Sequence, residues 1–341
     1  MRPVTRHGIA VVGTGYIGGQ HMGAVAANPR ACLEVICSTE RSRGIAEELR
    51  QAHGAGRTTT DYEDVLDDDR VDVVYLCTPN SRHEAQAVAA LETGRHLFVE
   101  KPLAVTVAQA RRIVAAARAS GTRVMVGHGA RFSRIFVAIH ELVRSGRLGE
   151  ACFVEGDYVH DLGPFLGLPG HDWWMDAADE GPLPILGGAC HPVDLMRWIA
   201  GEIVEVSAFG ARRNIPEAPW HDTVIANLRF ASGALGKCLV SCGAKVPYAM
   251  NLSYYGTRGS VINDRLFLDG IPHVEEFMRL PVPIRAEDHT CAEELDHLLD
   301  CVESGEPTAI DAVEGARSLA VCCAMAESIE AGRPVPVTLD F

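Results

Sequence analysis

The sequence predicts an α/β domain with a parallel sheet, followed by an α+β domain with a large, mostly antiparallel sheet. Three observations predict it. Over the first 130 residues, short β-branched runs alternate with helical stretches of 10–15 residues, the rhythm of parallel strands joined by crossover helices. Beyond residue 130 the runs lengthen and follow one another like hairpins, with few helices between them. At 341 residues the chain is long enough for two such domains.

The elements follow in order. Residues 8–12 (GIAVV) are a glycine-bounded strand, and GTGYIG at 13–18 opens a helix that stops at Asn28-Pro29. Residues 33–37 read as a strand, 41–53 as a helix and 61–66 as a short helix. Residues 71–77 (VDVVYLC) are a buried strand ending at Thr78-Pro79-Asn80. A helix at 82–93 ends at Gly94, and a strand at 96–99 precedes Glu100-Lys101-Pro102. An Ala-rich helix at 106–119 ends at Gly121, and 123–126 is the last strand of this domain. Residues 132–145 form an amphipathic bridging helix. Residues 151–160, 203–211, 222–230, 234–242 and 250–262 read as longer strands, with Ala231-Ser232-Gly233 as a hairpin turn. A helix at 192–200 interrupts them, and two more follow at about 289–304 and 311–331. The expected domains are 1–128 and 129–330, with 311–341 packing back on the first.

Composition narrows the function. Apolar residues make up 47% and charged residues 22%, an ordinary globular balance. With 31 basic and 45 acidic residues the net charge is −14, which repels phosphate backbones and argues against nucleic-acid binding. The apolar runs are too short to span a bilayer, so no membrane partner is expected. The N-terminus lacks the apolar length of a signal peptide, and the 11 scattered cysteines contain no C-x-x-C pair. A cytoplasmic protein with reduced thiols is the expectation. No Cys/His spacing suits zinc, so no metal is expected.

The chemistry begins at the glycine turn. G-x-G-x-x-G between a strand and a helix is a dinucleotide-binding fingerprint. Gly13 allows the tight turn, Gly15 the approach of a pyrophosphate, and Gly18 close packing of helix on strand. Tyr16 and Ile17 open the helix, whose amides face the phosphates. An acidic residue about 20 positions on usually binds the ribose hydroxyls of NAD; here that place holds Ser38, followed by Thr39-Glu40-Arg41-Ser42-Arg43. Ser38, Thr39 and Arg43 suit a 2′-phosphate, which favours NADP(H) over NAD(H). Glu40 turned toward the ribose would reverse that preference. Ligands of such sheets bind outside the carboxyl ends of the strands. That places Cys77, Thr78, Pro79, Asn80 and His83, and then Glu100 and Lys101, at the same site. The Lys101–Pro102 bond is a candidate cis peptide.

The set GTGYIG, CTPNSRH, ALETGRHLFVEKPLA, VGHGARF, GGACHPVDLMRW and HDTVIANLRFASGALG resembles the glucose–fructose oxidoreductase / inositol dehydrogenase / rhizopine-catabolism (Gfo/Idh/MocA) family. The likeness covers nearly the whole chain. It implies a Rossmann domain, a C-terminal sheet domain, homodimers or homotetramers formed through the outer sheet face, and oxidation or reduction of a sugar or cyclitol hydroxyl. The stretch from Ser38 to Gly44 is similar to NADP-using anhydrofructose reductases. The family's catalytic set is the E-K-P lysine with a D-x-x-x-H pair. Lys101 and His191 match it, but Gly187 stands where the carboxylate belongs, and Trp173-Trp174 stand where the family has Trp-Arg.

A polyhydroxylated small molecule is therefore the expected partner. His191 suits a general base. A Lys101 ammonium would polarise a carbonyl and stabilise an alkoxide. His160 with Asp161, or His171 with Asp172, could replace the missing carboxylate. Asp194 shares a helix face with His191, while Tyr158, Trp173 and Trp174 suit apolar walls. Arg131 and His128 border the cleft. Two other functions fit these residues: a nicotinamide-retaining lyase, epimerase or glycosidase, and a non-enzymatic dinucleotide sensor.

Overall fold

The early strands carry apolar, β-branched residues on both faces, which requires a sheet covered on both sides. A computed structural model describes residues 6–168, 170–270, 276–282 and 290–341. The first stretch runs β1 (His7–Val12), α1 (Tyr16–Ala27), β2 (Ala31–Cys37), α2 (Arg43–His53), β3 (Arg57–Thr59), α3 (Glu63–Leu66), β4 (Val73–Leu76), α4 (His83–Glu92), β5 (His96–Glu100), α5 (Val107–Ser120) and β6 (Val124–Gly127). All six strands pair in parallel, in the order β3-β2-β1-β4-β5-β6. The order reverses between β1 and β4, which is where sheets of this kind bind ligands. β3 lies at the edge; its Arg-Thr-Thr sequence has no apolar signal, so sequence analysis passed over it.

The chain continues with α6 (Arg134–Arg144), β7 (Ala151–Val159), α7 (Ala177–Glu180), α8 (Cys190–Ala200), β8 (Ile203–Ala211), β9 (Thr223–Phe230) and β10 (Leu235–Ser241). β11 (Ala249–Gly256), β12 (Gly259–Ile262), β13 (Arg265–Leu268) and β14 (Met278–Arg279) follow, then α9 (Cys291–Ser304), α10 (Ala312–Ala331) and β15 (Val335–Pro336). Nine strands form one sheet, β14-β13-β12-β11-β7-β10-β9-β8-β15. Its ladders are antiparallel except for β7 with β10. β9 alternates buried and exposed residues, so one face is packed and the other open. On the packed face, a Cβ on Gly156 would lie 2.7 Å from Pro192 of α8. The 250–262 run is two strands, because Thr257 and Arg258 turn the chain between β11 and β12. Residue 289, the expected start of a helix, lies outside the described residues.

The chain divides into two compact units: Met1–Gly129 with His289–Ala316 and Phe341, and Ala130–Asp288 with Arg317–Asp340. The stretch 311–341 is divided between them, with 311–316 and Phe341 in the first unit and Arg317–Asp340 in the second. β15 explains the second part, since Val335 pairs with Val206 of β8. Among the described residues no helix is long and apolar enough to cross a membrane, and none of the 11 cysteines is in a disulfide.

Candidate active site

In the first unit, the glycine turn sits where β1 hands over to α1. A Cβ on Gly13 would lie 2.2 Å from the Cys77 carbonyl oxygen, and one on Gly18 2.3 Å from the Gly13 carbonyl oxygen. Packing alone demands glycine at both places. Gly15 differs: a Cβ there would meet nothing within 4 Å, and its φ of −72° suits any residue. Gly15 is also the N-cap of α1, and its lack of a side chain leaves the helix without a side-chain cap. That suits the first-turn amides to an anion. Tyr16 beside it is 69% exposed and Ile17 half-buried.

At the end of β2, a pocket of about 350 Å³ is lined by Ser38, Arg43 and Thr58 to Thr60. Ser38 is buried, whereas Thr39 and Arg43 are exposed. Glu40 Oε1 accepts hydrogen bonds from Thr60 Oγ1 at 2.7 Å and Arg43 Nη2 at 2.5 Å. The Thr60 bond, then the Arg43 bond, hold its carboxyl below the usual range.

At the next two strand ends, Cys77 is buried, and burial pushes its thiol well up. Thr78 Oγ1 donates to Gln86 at 2.7 Å; Pro79 is half-buried and Asn80 buried. The Lys101–Pro102 bond is cis, and Lys101 is half-buried. Two expected cofactor contacts do other work. His83 is fully buried, its ring nitrogens 3.0 Å from the Thr78 carbonyl and 2.9 Å from that of Pro102. It ties the two strand-end loops together. Glu100 is 8% exposed; His21 Nε2 lies 2.8 Å from its Oε1, and the Lys101 amide donates to its Oε2 at 3.1 Å. Its carboxylate is turned inward. His128, after β6, is likewise buried.

In the second unit, His191 lies in the first turn of α8, after a wide π-type turn at Pro184–Ala189. Its ring stacks on Tyr158 at 5.6 Å and 7°. Tyr248 meets Tyr158 and His160 edge-on at 5.4 and 5.1 Å, and Phe165 meets His160 at 5.6 Å. Burial lowers the His160 pKa, against an opposing pull from Asp161. Burial pushes the Tyr158 phenol well up. At Gly187, where the family has its carboxylate, a Cβ would lie 3.0 Å from Leu183.

Other expected substrate contacts have partners of their own. Asp194 and Arg131, 1% and 6% exposed, are paired with each other: Arg131 donates twice to the carboxylate at 2.7 Å. Ser318 adds a bond to Asp194 at 2.8 Å. Such a fork orders the interior and takes up the oxygens a substrate would need. Asp161 accepts from Lys245 at 3.0 Å, a surface ion pair. Trp173 and Trp174 are half-buried, and the Trp220 indole donates to the Trp174 carbonyl at 2.8 Å. His171 meets the Trp174 ring edge-on at 4.4 Å, and Asp172 is exposed. Sequence reading missed Thr58 to Thr60, Tyr248 and His21, whose partners are remote in sequence. Only the position of Thr58 to Thr60, before a helix in a βαβ rhythm, carried a signal.

A sheet in this order, with a glycine turn at the β1–α1 junction, defines the dinucleotide-binding class of α/β proteins. Residues 7–128 match the model of an oxidoreductase family with an NAD-binding Rossmann fold, and 136–262 match the GFO/IDH/MocA C-terminal domain. The chain belongs to the Gfo/Idh/MocA family. It is 26% identical to a myo-inositol 2-dehydrogenase of Thermotoga maritima, over 96% of this chain and 97% of that one. It is 28% identical to a 1,5-anhydro-D-fructose reductase of Ensifer adhaerens, over 71% and 70%. Levoglucosan dehydrogenase in complex with NADH and L-sorbose shares the fold, with a TM-score of 0.90 at 24% identity, over 98% of this chain and all of that one.

Proposed function

We propose that this chain is an NADP(H)-preferring oxidoreductase that moves a hydride between nicotinamide and a hydroxyl or keto group of a sugar, sugar derivative or cyclitol. Gly15 carries the reading: the fold leaves room for a side chain there, so its absence serves a ligand. The uncapped start of α1 and the pocket at Ser38 and Arg43 fit the diphosphate and ribose ends of such a ligand. The names of the inositol and anhydrofructose relatives support the substrate class. Arg43 supports the 2′-phosphate preference, provided it swings from Glu40 to the phosphate.

The dinucleotide, when bound, supplies or accepts the hydride. Lys101 donates a hydrogen bond to the substrate oxygen and stabilises its developing negative charge. His191 takes the hydroxyl proton in oxidation and returns it in reduction. Tyr158 holds the His191 ring by stacking, and His160 is the nearby imidazole in a cluster that lacks the family carboxylate. Tyr158, Trp173 and Trp174 present faces to a sugar ring.

The Gly187 departure favours one second reading, a nicotinamide-retaining lyase, epimerase or glycosidase. A panel of polyols and keto-sugars, assayed with each nucleotide at the nicotinamide absorbance band, separates the two. Net nucleotide turnover supports the oxidoreductase. Product formed with co-purifying nucleotide and no net absorbance change supports the second reading. We also propose a cytoplasmic homodimer or homotetramer. The open sheet face supports association: Phe209, Ile225 and Leu235 are 74%, 46% and 52% exposed. Sedimentation of the full chain tests it.

A further inference from the structure

Beneath Lys101, the first unit holds a buried cluster that the proposed reaction does not use. His21 of α1 packs against the stacked rings of Tyr75 and Phe98, with centroids 5.3 and 4.7 Å away. Its Nε2 is 2.8 Å from Glu100 Oε1, while Glu100 Oε2 accepts the Lys101 amide at 3.1 Å. From α9, Cys291 Sγ reaches to 3.9 Å of the same Nε2. Glu294 is 3% exposed, and its Oε1 has no hydrogen-bond partner.

Two glycines make room for the carboxylates. A Cβ on Gly127 would lie 3.2 Å from Glu100 Oε1, and one on Gly129 3.3 Å from Glu294 Oε1. The ligand atoms of His21, Cys291 and Glu294 lie within 4.8 Å of one another, so a metal has to be weighed. The His21–Glu100 contact argues against it. At 2.8 Å it is a hydrogen bond, and it engages the same Nε2 that faces Cys291.

We propose that His21 is a positioning residue for Lys101, acting through Glu100. The imidazole fixes the buried carboxylate, and that carboxylate holds the Lys101 backbone amide. The balance of charge agrees. Burial pushes Glu100 up, but the His21 hydrogen bond and charge, with Lys101 behind them, hold its carboxyl below the usual range. Burial, then the charges of Glu100 and Glu293, push Glu294 well up, so it stands as the neutral acid of the pair. Tyr75 and the Cys77 and Cys291 thiols also face the cluster, and burial raises all three. The cluster therefore carries one carboxylate charge, and His21 places it on Glu100.

The inference rests on the reading of Lys101 given above, so its test has a readout that needs no substrate. His21→Gln and the isosteric Glu100→Gln are prepared in the full chain. The acylation of Lys101 by acetic anhydride is followed by mass spectrometry across pH, beside kcat, KM and the dissociation constant for NADPH. Expected in each variant is a rate of Lys101 labelling changed at least threefold at every pH, because the carboxylate no longer holds the backbone that carries the amine. With it kcat falls about 10- to 100-fold, while the NADPH constant stays within about threefold. Wild-type labelling profiles in both variants would overturn the inference. So would parallel loss of NADPH binding and turnover with unchanged labelling, or stoichiometric metal in the purified protein that His21→Gln removes. Wild-type protein inactive on every polyol would sink the proposed function while leaving the labelling test intact.

Discussion

The carboxyl end of the parallel sheet and the aromatic face of the second unit put charge to opposite uses. At the sheet end, backbone and short motifs shape the site, and the buried charges stand directly behind a candidate chemical group, Lys101. In the second unit two buried charges, Arg131 and Asp194, are paired with one another inside the unit. His191 is left among rings, with Tyr158 stacked on it. The difference teaches that a buried charge has to be read by its partners before it is read as a site.

The largest expected effect tests the second half of that contrast. Asp194→Ala strands the Arg131 guanidinium in the interior, which costs about 3–5 kcal/mol of stability. Urea unfolding of the full chain measures it, and a loss below about 1 kcal/mol would mean the fork is not structural. Lys101→Met tests the first half. Turnover should fall about 10²- to 10³-fold with NADPH affinity nearly unchanged; steady-state kinetics beside a fluorescence titration checks this, and full activity would remove Lys101 from the chemistry.

Arg43→Ala sharpens the cofactor assignment. It should weaken NADPH binding about tenfold and leave NADH binding within twofold, since only the 2′-phosphate needs the guanidinium. Equal losses for the two nucleotides would assign Arg43 to the fold or to a shared part of the ligand.

The smallest effect concerns Glu294. Its carboxyl binds a proton more tightly folded than unfolded. The stability it contributes is therefore complete below the unfolded carboxyl range and is lost as pH rises through the folded pKa. That slope reaches at most about 1.4 kcal/mol per pH unit. Glu294→Gln should flatten it above about pH 5, as thermal unfolding across pH would show; an unchanged slope would place the proton elsewhere.

What the sequence made legible follows the same contrast. The glycine turn, the strand-end motifs and the β-α rhythm are local, so residues 7–128 could be read almost element by element. β3 escaped because three polar residues at a sheet edge carry no hydrophobic pattern. Arg131 and Asp194 were read as substrate contacts because each is polar and near a motif; their separation of 63 positions hid their pairing. Asp194 does share the helix face of His191, but a shared face does not say what lies opposite. The cluster of His21, Glu100 and Glu294 was invisible for the same reason, since α9 brings its acid from the far end of the chain. Tyr248 joins Tyr158 and His160 only through the β7–β11 ladder.

The central claim is that the β1–α1 turn seats a dinucleotide, and Gly15 tests it most directly. The position is open and its backbone suits any residue, so Gly15→Val should fold with a melting temperature within a few degrees of the wild type. NADPH titrated against that variant, followed by nicotinamide fluorescence, should bind at least 100-fold more weakly than to the wild type. Binding as tight as the wild type's, by a variant equally well folded, would contradict the account.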